Sequence, residues 1–257
     1  LLLATSCTND VAEVETPTQQ GQYVTVRMNI PGMTATASRA AEENITSITA
    51  LAFNSEGTLL GRYEAGSINN GTFTLSVHND TKTVHFLANL PNEYDLSSIT
   101  KVDDLTSLTT TVTSNLIYWG VAEYTGSNLY VDLYRNMAMI AIAPAVVDTE
   151  FNQFTQGQLS IVGLYNANTV GALVPYQEAF NFDLNGNDYY TLPESPSKGN
   201  VEYNELSAST YVFEHENTRQ NPLCAICKIG ESFYKVALVD DRTSEPYDII
   251  RNHKYII

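Results

Sequence analysis

Basic residues are scarce in this sequence. Lys and Arg together number 13 against 29 Asp and Glu, a formal net charge of −16 over 257 residues, and nowhere do the cations cluster. That argues against nucleic acid, and against anionic membrane surfaces, as partners. Cysteine is scarcer still: Cys7, Cys224 and Cys227 are too few for a disulfide scaffold. No run of 18 apolar residues exists to form a membrane-spanning helix. There is no Gly-x-Ser-x-Gly elbow, no Gly-x-Gly-x-x-Gly and no phosphate-binding loop. The four histidines, His78, His85, His215 and His253, are scattered and form no metal-ligating pair. Nothing here reads as an enzyme, and no cofactor is implied.

What is present is β-forming. Apolar residues are 43% of the chain, charged residues only 16%, and Tyr occurs 16 times. These are habits of an exported β-rich protein. Val24, Val26, Met28 and Ile30 alternate with polar neighbours, which predicts a strand over 23–30 with one face for burial. A denser apolar run, 45–53, ends at the turn Asn54-Ser55-Glu56-Gly57. Strands are expected at 58–63, at 73–77 after the hairpin signal Asn69-Asn70-Gly71, at 83–88 and at 116–123. A long strand beginning at Leu129, Val131 and Leu133 should end near Pro144. Leu96, Ile99, Val102, Leu105 and Leu108 recur every third residue, predicting one short helix capped by Ser97 or Ser98.

The second half repeats this style, with strands expected at 158–165, 180–184, 210–214, 223–229, 232–239 and 247–257, and with 192–199 as a loop carrying Pro193, Pro196 and Gly199. The acidic stretch after Val146 marks a boundary. This spacing indicates an all-β chain of two tandem β-sandwich domains, 22–145 and 146–257, with the short helix in the first. Leu133-Tyr134-Arg135-Asn136 and Ile249-Ile250-Arg251-Asn252 echo each other near the ends of the two.

Three small features have a plain structural reading beside a chemical one. Cys224 and Cys227 form a Cys-x-x-Cys, but in a strand residues three apart face opposite ways, so buried thiols are expected rather than a metal or redox site. Asp183, Asn185, Asn187 and Asp188 loosely suggest a calcium loop, yet Asn185-Gly186 reads better as a hairpin turn. Trp119 sits in an apolar run and is expected in the core rather than on a sugar-binding platform.

The N-terminal stretch Leu1-Leu2-Leu3-Ala4-Thr5-Ser6-Cys7 looks like the tail of a secretory signal ending in a lipoprotein-type cysteine, and the polar residues that follow, to 21, look like a tether. Between the first two strands lies Pro31-Gly32-Met33-Thr34-Ala35-Thr36-Ala37-Ser38-Arg39-Ala40-Ala41, small residues around one arginine, a segment suited to a trypsin-like protease.

Together with Leu87-Ala88-Asn89-Leu90-Pro91, Tyr211-Val212-Phe213-Glu214 and Tyr247-Asp248-Ile249-Ile250-Arg251-Asn252, these features resemble the fimbrillin superfamily, subunits of the type V pili of Bacteroidetes. The resemblance implies transthyretin-like, Greek-key sandwiches. It implies a precursor lipidated at Cys7 on the outer membrane and cut between Arg39 and Ala40 by an arginine-specific protease. It implies that the strand bearing Val24, Val26, Met28 and Ile30 is then lost and replaced by a strand from a neighbouring pilus subunit, giving an extracellular fimbrium. Host or bacterial surface receptors are further partners it implies. Polymerising subunits usually carry donor residues beyond the Arg-Asn segment. This chain stops at Ile257, which is read either as a cut-short end or as a subunit that accepts a strand without donating one. The rival reading is a surface lipoprotein that binds glycan or a host ligand and does not polymerise.

Overall fold

The computed structural model describes residues 21–33, 44–91, 94–111, 115–142, 159–175, 198–240 and 242–257. They form an all-β protein of several sheets with one short 3-10 helix.

The sheet that matters most is built around β1 (Gly21–Asn29). It runs antiparallel to β4 (Thr72–His78) on one side and parallel to β8 (Asn128–Asp132) on the other. Facing it is a sheet in the order β3 (Leu59–Glu64), β2 (Ile48–Phe53), β5 (Thr83–Ala88), β7 (Tyr118–Glu123) and β9 (Tyr134–Arg135). Alternation explains how the two meet. Val24 and Val26, Phe73, Leu75 and Val77, and Leu129, Val131 and Leu133 point inward from one sheet, and Ile48, Ala50, Val84, Phe86 and Tyr118 point inward from the other. Gly120 sits in the centre of this inner face. A Cβ there would lie 2.2 Å from the Asp132 carbonyl oxygen, so only glycine lets the end of β8 cross so closely.

β2 is buried on both faces, which is why its sequence reads as a continuous apolar run. Leu51, Phe53, Leu87 and Trp119 face outward and are covered by Leu96, Ile99, Leu105 and Leu108. The last four carry the every-third-residue pattern, and the helix they signal is the 3-10 helix Val102–Ser107, whose three residues per turn match that period. Its N-cap is Lys101, not Ser97 or Ser98. Asp104 accepts the Thr100 and Lys101 backbone N–H groups, both at 2.8 Å, while Ser97 is held in a separate turn by Asp95. Leu173 and Val174 complete this cover from the second half, guided by the short pair β6 (Thr109–Thr110) and β12 (Gly171–Ala172).

The expected long strand from Leu129 is three strands, each in a different sheet. After β8 and β9 the chain enters β10 (Met137–Ala141), which lies between β14 (Ser209–Phe213), antiparallel, and β17 (Lys254–Ile256), parallel. Leu133 still faces the first core, whereas Ala138 and Ile140 face the second, so the alternation changes phase across Tyr134-Arg135-Asn136. Asn136 marks the break, exchanging hydrogen bonds with both backbone groups of Ile117. β10 thus precedes the expected boundary at 145/146 but pairs, among the described residues, with strands from beyond it.

The remaining sheet has the order β13 (Lys198–Ser207), β11 (Leu159–Asn168), β15 (Cys224–Ile229), β16 (Ser232–Ala237). β13 begins inside the segment expected to be a loop. Its Gly199 suggested a break, but Val201 and Tyr203 pack on the core, and its irregular pairing with β11 accommodates the register shifts. The expected strand 180–184 lies outside the described residues.

The pairing order repeats along the chain. β10 sits between β14 and β17 as β1 sits between β4 and β8, and β13-β11-β15-β16 follows the order of β3-β2-β5-β7.

Candidate functional site

The candidate site is the slot occupied by β1. Its register is fixed from Gly21 opposite His78 to Arg27 opposite Thr72 on one side, and from Thr25 opposite Asn128 to Asn29 opposite Asp132 on the other. Within its sheet β1 is the only strand joining β4 to β8. Without it, both neighbours would present a row of unpaired N–H and C=O groups, and the core between them would be open.

Of the four residues expected to fill the slot, Val24 and Val26 are fully buried, at 0% exposure. Met28 and Ile30 are only half-buried, packing against the rim of the core, and Ile30 lies one residue past the end of the strand. Pairing with β4 ends at Arg27 opposite Thr72 while β8 continues alongside to Asn29, so alternation alone overstates their burial. Complete burial of the two valines contributes roughly 3–6 kcal/mol, with Met28 and Ile30 adding less than full values. The other edge of the strand is polar. The Arg27 guanidinium lies 5.8 Å from the centre of the Tyr130 ring, Asn29 donates to Asp132 at 2.7 Å, and Gln22 accepts from the Tyr124 hydroxyl.

The exit of the slot is latched. Leu133 N–H donates to the Asn29 carbonyl at 2.8 Å. Arg135 then donates from one nitrogen to the Pro31 carbonyl at 2.9 Å and to the Asn252 side-chain oxygen at 2.8 Å, and Asn252 in turn approaches the Gly32 carbonyl at 3.4 Å. Arg135 is itself buried and rests on the Tyr118 ring, 5.6 Å from its centre. These latch residues come from the two Arg-Asn echoes, but nothing in the sequence assigned them to the end of β1.

The second echo carries a further buried contact. Arg251, 0% exposed, makes a two-pronged ion pair with Glu214, 1% exposed. It also donates to the Leu173 and Ala172 carbonyls at 2.9 and 3.0 Å. All three guanidinium nitrogens have an acceptor, the condition under which a charge can be kept in a core.

Arg39, Ala40 and Cys7 lie outside the described residues, as do Asp183 and Asp188 of the suggested calcium loop. Cys224 and Cys227 are buried free thiols in β15, and burial pushes both above the ordinary thiol range, so neither is a ready nucleophile. Trp119 is buried in the core and donates to His85 at 3.2 Å. Among the described residues no group of His, Cys, Asp and Glu is arranged to hold a metal. The arrangement supports strand binding rather than bond-making chemistry.

Residues 23–120 match the family model of the major fimbrial subunit protein (FimA). No curated protein matches the sequence. Among solved structures, a fimbrial assembly protein from Parabacteroides distasonis is 15% identical, with a TM-score of 0.61 over 92% of this chain and 90% of its own. The tip fimbrial protein Mfa3 from Porphyromonas gingivalis, in a C-terminally truncated form, is 16% identical, with a TM-score of 0.56 over 91% and 94%. A fimbrilin from Porphyromonas gingivalis W83 is 15% identical, with a TM-score of 0.52 over 89% and 86%. The chain is fimbrillin-like (FimA-like), in sequence over residues 23–120 and in fold over nine-tenths of its length.

Proposed function

We propose that this chain is a fimbrial subunit built from two tandem transthyretin-like sandwiches, matured by cleavage after Arg39 and assembled by strand exchange at the β1 slot. The observation that carries the reading is the position of β1, held between β4 and β8 with its valines in the core, followed by a connection containing a single basic residue. Between Arg27 and Arg62 the sequence has only Arg39. Cutting there frees β1 from the chain without ejecting it. An incoming strand with the same alternation would restore both hydrogen-bond ladders and refill the pockets of Val24 and Val26. Cys7 fits a lipid anchor for the precursor, which supports maturation at the outer membrane and a product in an extracellular fimbrium. The repeated pairing order supports the tandem arrangement.

The test is digestion of the purified chain with an arginine-specific protease. One early product beginning at Ala40, followed by concentration-dependent oligomers that an Arg39→Ala variant does not form, supports the proposal. A chain that resists cutting at Arg39, or one that is cut and stays monomeric at high concentration with excess donor-strand peptide, overturns it.

A further inference from the structure

Where the two halves meet, a cleft of about 620 Å³ opens between the lead-in to β2, the segment after β5, the lead-in to β7, and β14. We infer that this cleft is a binding site for a neutral oligosaccharide. The inference goes beyond the fimbrial reading and does not depend on strand exchange.

The chemistry of the wall is the first argument. The chain carries a net charge of −16, yet among the described residues no carboxylate, lysine, arginine or histidine lines this cleft. Its polar lining is Asn44, Thr46, Ser47, Asn89 and Asn115, side chains that donate and accept without charge. Its apolar lining includes Leu90, Pro91, Leu116 and the half-buried ring of Tyr211, with Tyr118 buried beneath the floor. Amides and hydroxyls beside an aromatic ring suit a ligand with many hydroxyl groups and apolar C–H faces. They do not suit a phosphate, a uronate or an acidic peptide, each of which needs a cation.

The second argument is preorganisation. Asn89 holds a left-handed backbone, φ 57°, that non-glycine residues adopt rarely. Its side-chain oxygen accepts from both the Thr46 N–H and the Thr46 hydroxyl, at 2.9 and 3.2 Å, and its amide donates to the Asn44 carbonyl at 3.1 Å. The wall is therefore fixed before any ligand arrives, which lowers the ordering cost of binding. Tyr118, beneath the floor, is packed against the Arg135 guanidinium.

The third argument is shape. A second cleft of about 380 Å³ shares Ser47, Leu90 and Pro91 with the first and continues toward Tyr94. Among its described residues the two charged ones are already engaged, Glu64 with the Thr49 hydroxyl and Arg62 with the Ile99 carbonyl. The pair of clefts forms a path with a tyrosine at each end, which fits a chain of sugar units better than a single one.

The full, uncleaved chain is tested on an array of neutral and acidic glycans, with a synthetic peptide of residues 34–43 as competitor. Retention of neutral oligosaccharides, with longer chains bound more tightly than the monosaccharide, is expected. Tyr211→Ala should weaken binding by about tenfold through lost stacking, and Asn115→Ala by a similar factor, with melting temperatures unchanged. Binding should be equal in Arg39→Ala, which separates failure here from failure of the maturation reading. Retention of acidic glycans alone, displacement by the peptide, no retained glycan, or affinity unaltered in both variants overturns the inference.

Discussion

Arg135 donates a 2.9 Å hydrogen bond to the carbonyl of Pro31, so the guanidinium at the end of β9, the last strand of the first core's two sheets, also clamps the exit of the first strand. The same nitrogen reaches the Asn252 side chain, near the far end of the sequence. The retention of β1 is thus coupled to residues from both halves.

Removing this clamp should loosen β1 before it loosens anything else. Arg135→Met, which keeps the apolar stem over Tyr118 but deletes the fork, is expected to cost about 2–4 kcal/mol, because both acceptors lose a charged donor. Hydrogen–deuterium exchange should show accelerated exchange across Gly21–Asn29 with β2 and β5 protected as before. Uniform acceleration across all strands would contradict a local role.

The buried pair of Arg251 and Glu214 should behave asymmetrically. Glu214→Gln or Arg251→Met alone leaves one charge or its acceptors stranded, at a cost of about 3–5 kcal/mol in chemical denaturation. The double replacement Glu214→Leu with Arg251→Met strands no charge and should cost clearly less than the sum of the single changes. It still orphans the Ala172 and Leu173 carbonyls, so some loss should remain.

Acid should weaken the fold above the range in which carboxylates titrate. Burial holds His85 far below its ordinary 6.5, at about 3, and its ring nitrogen accepts the Trp119 N–H in the neutral form. The unfolded chain binds this proton from about pH 6.5 downward and the folded chain does not. The contribution of His85 is therefore complete above pH 6.5 and is lost as pH falls toward 3, by up to about 1.4 kcal/mol per pH unit. Asp95, Asp104 and Asp240 are held below their usual 3.8 by backbone N–H donors, so their contributions fade only under more acid conditions. Urea midpoints between pH 7 and 4 should fall for the native chain and much less for His85→Phe. An equal fall in both would remove His85 as the cause.

Much of this was legible wherever a local rule acts alone. Asn70 and Gly71 both take the positive φ that an Asn-Gly hairpin requires, and Phe73, Leu75 and Val77 bury as their alternation foretells. Legibility failed where tertiary partners decide. Leu129 to Ala141 keeps a strand-like composition throughout, and only the phase slip across Arg135-Asn136 betrays that the chain changes sheet twice. Val201 and Tyr203 belong to a strand because β11 is there to receive it, despite Gly199. The half-exposure of Met28 and Ile30 depends on where β4 stops pairing with β1. The Arg-Asn echo was visible, but an arginine's acceptor 104 residues away leaves no mark on spacing. Nor does a cleft wall assembled from Asn44, Asn89, Asn115 and Tyr211.

The duplicated pairing order has a consequence for how a fibre could grow. β10 is to the second half what β1 is to the first, yet from Asn136 to Ser197 the sequence contains neither Lys nor Arg. A protease that requires a basic residue has no purchase on that connection, so on the proposed mechanism the second half keeps β10. On the proposed mechanism each subunit then has one vacancy and not two, which makes the polymer directional and leaves it no means of branching.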